Sequence, residues 1–218
     1  MKAPKAYKPV LILIILFSLQ QLSGDTVVQF YSQTIFNEFS KKSAVIGLIL
    51  FALIRLILKI TVAACSKRIG RRTLLILSGS GMCAAMIFLT VLLYLTSADK
   101  DNVALKDNIK ENWFILALFF LYECASCMGF SIIPWTLVDE LLPTSVKGKL
   151  SGIMNAIAFL DIFVVNKIFP HLQSLIGLQN VFLLFGIFSL AATIFVYKFV
   201  PETLGKSFVE IENYFKKK

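Results

Sequence analysis

Apolar residues along this chain gather into long runs rather than into short alternating segments. Allowing for isolated polar interruptions, six runs are long enough to cross a bilayer: 9–36, 43–65, 73–96, 113–142, 149–169 and 178–199. A helix needs about 20 mostly apolar residues to span a hydrocarbon core ~30 Å thick. In lipid every backbone polar group must find its partner inside the structure, which leaves helices and closed barrels. The runs lack the short alternation of barrel strands. The pattern therefore predicts an all-α membrane protein with six transmembrane helices in one domain over 1–218. Short loops join the runs, except for the polar segment 97–112.

Two runs are broken. Ser23, Gly24 and Asp25 interrupt the first, and Pro134 interrupts the fourth. Irregular backbone at membrane depth is tolerated only where protein or a water-filled cavity covers it. Transporters build substrate sites at such breaks, while packing can also absorb a simple kink. Gln20 and Gln21 precede the first break; Thr26, Gln29 and Tyr31 follow it. An amide offers two donors and a carbonyl acceptor, which suits a hydroxyl-rich ligand without the desolvation cost of a charge. Helix–helix hydrogen bonding is the competing use.

Composition agrees with the pattern: 57% of the 218 residues are hydrophobic and 16% charged, against about 25% charged in soluble domains. The net charge of +9 could suggest nucleic acid, but its placement explains it otherwise. Lys2, Lys5, Lys8, the 67–72 loop, Lys147, Lys149, Lys198, Lys206 and the closing lysines fall on one side if the spans alternate. On the other side the lysines of 97–112 are offset by acids. Excess Lys and Arg mark cytoplasmic loops. Both termini are expected in the cytoplasm, with the lipid bilayer as partner and no nucleic acid. The basic start and the apolar stretch after it resemble a signal peptide. There is no small-x-small cleavage site, and apolar character resumes at Val27, so retention is expected.

Cys65, Cys83, Cys124 and Cys127 lie in or at the ends of runs. Cys124 and Cys127 have C-x-x-C spacing, with no second pair and no nearby histidine. They read as small apolar helix residues rather than a redox or metal site. His171 is the sole histidine and is expected to be solvated in an outside loop. No triad, metal cluster or phosphate loop appears, so neither an enzyme nor a cofactor is expected. Past Gly205, Phe208, Ile211 and Phe215 share a helical face, which suits either an interfacial helix or a frayed tail.

Charges inside the runs are costly, about 2.5–3.5 kcal/mol for a cation at the bilayer centre on insertion scales. Arg55 and Lys59 lie four apart, Glu123 is in the fourth run, and Asp161 and Lys167 are in the fifth. Arg55 is expected to pair with Asp161 or with Glu123, while Lys59 and Lys167 snorkel. Relaxed selection on a degenerate copy is the bland alternative.

Several segments carry a family likeness. QQLSGDTVVQFYS at 20–32 resembles the seventh-span signature of the sugar porters of the major facilitator superfamily. KRIGRR at 67–72 resembles the loop after their eighth span, and IPW at 133–135 the end of their tenth-span pattern. DELLPTSVKG at 139–148 and PETLG at 201–205 resemble two further family motifs, and FYSQTIF is most similar to insect facilitated trehalose transporters. The resemblance covers spans seven to twelve of a twelve-span porter, the C-terminal half. It implies facilitated hexose or disaccharide transport by alternating access. It implies sugar contacts from Gln20, Gln21, Thr26, Trp135 and Asn155. It implies a gating charge network of Arg71, Arg72, Glu140 and Lys147, and a plasma-membrane location. A lone half is expected to need a complementary N-terminal half, a second copy of itself or a full-length porter. A non-transporting modulator of full-length porters, or a degenerate truncated copy, is the alternative. Thr26 replaces the family's asparagine, Asp25 an apolar residue, Lys67 an acid, Ala156 a tryptophan and Leu204 a lysine.

Overall fold

The computed structural model describes residues 4–39, 44–65, 68–98, 113–142, 147–206 and 210, and every regular element among them is helical. In chain order these are α1 (Pro4–Leu22), α2 (Asp25–Phe30), α3 (Ser32–Phe39), α4 (Ala44–Cys65), α5 (Arg71–Ala98), α6 (Trp113–Met128), α7 (Ile133–Leu141), α8 (Lys147–Ile176) and α9 (Leu178–Phe199). Five stretches are long and apolar enough to cross a membrane, with α6 and α7 counted as one. The sixth, α1 to α3, is divided into three pieces. The segment 97–112 beyond Ala98 and the tail faces of Phe208, Ile211 and Phe215 lie outside the described residues.

The first break falls where the sequence places it. Gly24 has φ +92°, and a Cβ there would meet the Phe185 ring at 2.6 Å. A side chain at this position would be both strained and blocked. A further step at Tyr31 separates α2 from α3. The second break lies one turn before its proline. α6 ends at Met128, and Pro134 occupies the first turn of α7. Proline lacks an N–H and fits a first turn without losing a helical bond, so the irregular backbone is pushed back to 129–132. There Ser78 covers the gap: its Oγ accepts from Phe130 N–H at 3.1 Å and donates to the Ala125 carbonyl at 2.7 Å.

Two expectations for the fifth run need correcting. The helix does not stop near 169 but continues through Pro170 to Ile176, so His171 is an exposed helical residue rather than a loop residue. Pro170 denies the Asn166 carbonyl its helical donor. The Tyr31 hydroxyl donates to that carbonyl instead, at 3.1 Å. A satisfied carbonyl lets the helix run on.

The core forms where α5 packs along both α6 and α9, with α1 laid against α8 and α9. Leu75, Met82, Met86, Phe119, Tyr122 and Phe182 are fully buried there. By contrast, only 11% of the apolar window of α4 is covered, against 56% for α5. α8 likewise shows Phe159, Leu160 and Phe163 on its outer face.

Candidate functional site

The first break gathers a polar cluster inside an apolar bundle. Gln20, Gln21, Asp25 and Thr26 are all buried. The turn over 23–24 brings the end of α1 close to the start of α2. Thr26 Oγ1 then donates to Gln21 Oε1 at 2.7 Å, and Gln20 Nε2 donates to Asp25 Oδ2 at 3.3 Å. Tyr122 from α6 anchors the turn by donating its hydroxyl to the Ser23 carbonyl at 2.8 Å. Ser126, one turn on, donates to Asp25 Oδ1. From α8, Asn166 donates through Nδ2 to Thr26 Oγ1 at 3.1 Å and to the Ile162 carbonyl at 2.8 Å.

The cluster is not self-sufficient. Gln20 Oε1, Gln21 Nε2 and Asn166 Oδ1 are buried with no partner among the described residues. An unpaired buried polar group costs about 1–3 kcal/mol. Three on neighbouring amides leave one donor and two acceptors for a ligand rich in hydroxyls or for water. Beside Asn166 an open cavity of about 600 Å³ is lined by Phe30, Tyr31, Phe159, Ile162, Phe163 and Lys167 as well as Asn166. That is within the ~300–1,000 Å³ of small-molecule sites, with aromatic faces on one side.

Trp135 is half-buried, its ring 4.9 Å from Phe17 of α1 and 6.1 Å from Phe159 of α8. It therefore borders the cavity wall through Phe159. Asn155 is exposed one turn before Phe159 on α8 and joins no hydrogen bond of the amide cluster. Asn166 takes that part instead; eleven residues further along the helix, it lies on nearly the same face. Sequence reasoning passed it over, although a lone amide in the apolar run 162–169 was the available signal.

Of the two pairings open to Arg55, Glu123 is the one formed, at 3.1 Å. Asp161 instead accepts from the Ser18 hydroxyl at 2.9 Å. Lys167 lies 5.5 Å from the Phe163 ring centre. Cys83, Cys124 and Cys127 are free thiols.

A second polar assembly sits at the end of the bundle where α5 begins. Arg71 Nη2 contacts Glu140 Oε1 at 3.0 Å, and Glu140 Oε2 accepts from Thr203 at 2.6 Å. Glu202 caps α5, accepting the backbone N–H of Arg71 at 2.9 Å and of Arg72 at 3.3 Å. A carboxylate at a helix N-terminus satisfies orphan donors and meets the positive end of the dipole. Gly70 makes the approach possible, since a Cβ there would lie 2.3 Å from Glu202 Oε2. Arg72 turns away to the Tyr197 carbonyl and stacks 5.3 Å from its ring centre. Lys147 pairs with Asp139 at 3.1 Å. The four residues expected as one network thus include one tight pair, Arg71–Glu140, with Glu202 as its unforeseen organiser.

The family profile described as "Sugar (and other) transporter" matches residues 1–215. The chain belongs to the sugar transporter family. It is 30% identical to the bovine (Bos taurus) solute carrier family 2, facilitated glucose transporter member 8, covering 99% of this chain and 48% of the relative. It is 32% identical to the facilitated trehalose transporter of Anopheles gambiae, covering 94% of this chain and 25% of the relative. The fold matches the proton:xylose symporter XylE with a TM-score of 0.79 at 25% identity, covering 94% of this chain and 42% of that one. A second XylE structure matches at TM-score 0.83 and 24% identity, covering 99% and 44%. The chain thus spans half or less of the relatives it matches, and its fold is one half of a major-facilitator fold in an integral membrane protein. The amide of Asn166 reaches the Thr26 hydroxyl from α8.

Proposed function

We propose that this chain takes part in sugar transport across the membrane by alternating access, with a hexose or a disaccharide such as trehalose as cargo. The observation that carries this reading is the trio of buried, unpartnered amide atoms on Gln20, Gln21 and Asn166, the last of which lines an aromatic-walled cavity. Family membership and the names of the relatives support it. Gln20, Gln21, Thr26 and Asn166 hold sugar hydroxyls. Trp135 packs against the sugar or its inner gate, and Asn155 extends the same wall. Arg71 and Glu140, organised by Glu202, form a cytoplasmic latch with Arg72 and Lys147 at its flanks. Such a latch breaks and reforms with state and so biases a two-state equilibrium. The exposed faces of α4 and α8 favour a complementary N-terminal half, a second copy or a full-length porter as partner. Plasma membrane is the expected location.

Uptake of labelled glucose and trehalose in cells lacking their own sugar carriers tests this reading, with the chain expressed alone and beside a full-length porter. A gain of uptake that disappears in Gln21→Ala supports transport. The departures at Thr26, Lys67 and Ala156 favour a second reading, in which the chain modulates full-length porters. A loss of the porter's own uptake on co-expression would select it.

A further inference from the structure

Next to the amide cluster lie two buried carboxylates, Asp25 and Glu123, of which Glu123 is paired with a cation. Asp25 and Glu123 are 3% and 1% exposed, at the depth of the first break. Arg55 meets Glu123 Oε1 at 3.1 Å and also donates to Gln29 Oε1. Cys127 donates to the same Glu123 oxygen at 3.5 Å. Among the described residues no Lys or Arg pairs with Asp25, which is held by the neutral donors Ser126 and Gln20. Glu123 Oε2 has no partner at all among the described residues, though it is fully buried. Gln20, 2% exposed, gives one end of its amide to Asp25 and leaves its Oε1 unpartnered.

The other groups that act on Glu123 do not restore neutrality by contact. Among the described residues Lys59, one turn beyond Arg55 on α4, forms no ion pair with Glu123, whose cation partner is Arg55. Tyr122 and Cys127 belong to Glu123's own helix and are neutral donors. α5, also packed against α6, carries its charges, Arg71 and Arg72, only at its first residues. Two carboxylates sharing a low-dielectric site with one paired cation do not both stay ionised easily. The uncovered Glu123 Oε2 is where a proton has room.

We infer that Glu123 is a proton-binding site holding one exchangeable proton, and that Gln20, through its bond to Asp25, links it to the sugar amides so that proton and sugar bind together. In the binding step a solvent proton adds to Glu123 Oε2, the carboxylate becomes the neutral acid, and no other bond changes. Sugar displaces water from the amides, which withdraws solvation from the neighbouring charge and favours the neutral acid. By reciprocity the proton strengthens sugar binding equally. The sugar-linked part rests on the transport reading above; the proton site stands on its own geometry.

Infrared difference spectra of the full chain in lipid nanodiscs, titrated with and without sugar, test this. The expected result is a protonated-carboxyl C=O band that titrates, disappears in Glu123→Gln and grows on adding glucose or trehalose. Sugar Kd measured in parallel should fall with falling pH by up to about tenfold per unit, the limit for one linked proton. Glu123→Gln should bind sugar with no pH dependence. A wild-type spectrum without a titrating carboxyl band overturns the proton site, and it requires no variant to fold. A band indifferent to a sugar that binds overturns the link. A band present where neither sugar binds overturns the link through failure of the transport reading and leaves the proton site standing.

Discussion

The amide cluster at the first break and the charge cluster at the start of α5 are built alike and end up differently. Each draws polar side chains from three segments distant in sequence. In the charge cluster, every carboxylate oxygen of Glu140 and Glu202 has a donor: Arg71 and Thr203 for the first, the N–H groups of Arg71, Arg72, Thr203 and Leu204 for the second. In the amide cluster, Gln20, Gln21 and Asn166 each keep one polar atom unpaired. At the flank of the charge cluster Arg72 Nε is buried without a partner among the described residues, but carboxylates met on every oxygen hold a conformation together, whereas neighbouring amides left open are completed by what enters between them. On the proposed reading, the two clusters divide the labour between holding a state and holding a ligand.

Substitutions separate the two kinds of site. Gly24→Val should have the largest effect. It forces a β-branched residue to φ +92° against the Phe185 ring, costing about 2–5 kcal/mol from strain and overpacking together. Thermal unfolding in detergent would read this, and retained stability would deny that the break is rigid. Gln21→Ala should lower sugar affinity about 10- to 100-fold, the worth of one or two hydrogen bonds inside a desolvated site. Stability should barely move, because among the described residues the Gln21 side chain makes a single hydrogen bond, from Thr26. Equal losses of stability and affinity would make it structural. Arg71→Ala should show the reverse, a loss of about 1–3 kcal/mol from the charge-assisted bonds to Glu140 with sugar affinity little altered. Partial recovery of stability in Arg71→Glu with Glu140→Arg would confirm the pair. Lys147→Ala should matter least, within about 1 kcal/mol, since its partner Asp139 is 66% exposed.

Much of this was legible in the sequence, and the remainder was hidden for physical reasons. Hydrophobic runs locate membrane helices because the bilayer imposes a length, and Gly24 marks its break because left-handed backbone selects glycine. Proline was read less well. Pro134 displaced its break one turn upstream into 129–132, and Pro170 caused none, because the Tyr31 hydroxyl from the step between α2 and α3 satisfies the freed carbonyl. No local pattern reports a donor 135 residues away. The same limit explains the site. Gln20 and Gln21 stand out as adjacent amides in an apolar run, whereas Asn166 becomes visible as a partner only once α8 is laid against α2. Arg55 could have met either Asp161 or Glu123, and packing of α4 against α6 decided for Glu123.

The central claim is that the unpaired amides await a sugar. Equilibrium binding of labelled glucose and trehalose to the full chain in lipid nanodiscs tests it most directly, comparing wild type with Gln20→Ala, Gln21→Ala and Asn166→Ala. The account predicts saturable binding that each amide substitution weakens at least several-fold while Arg71→Ala leaves it near the wild-type value. Saturable binding that survives all three amide substitutions, or no binding of either sugar, would contradict it.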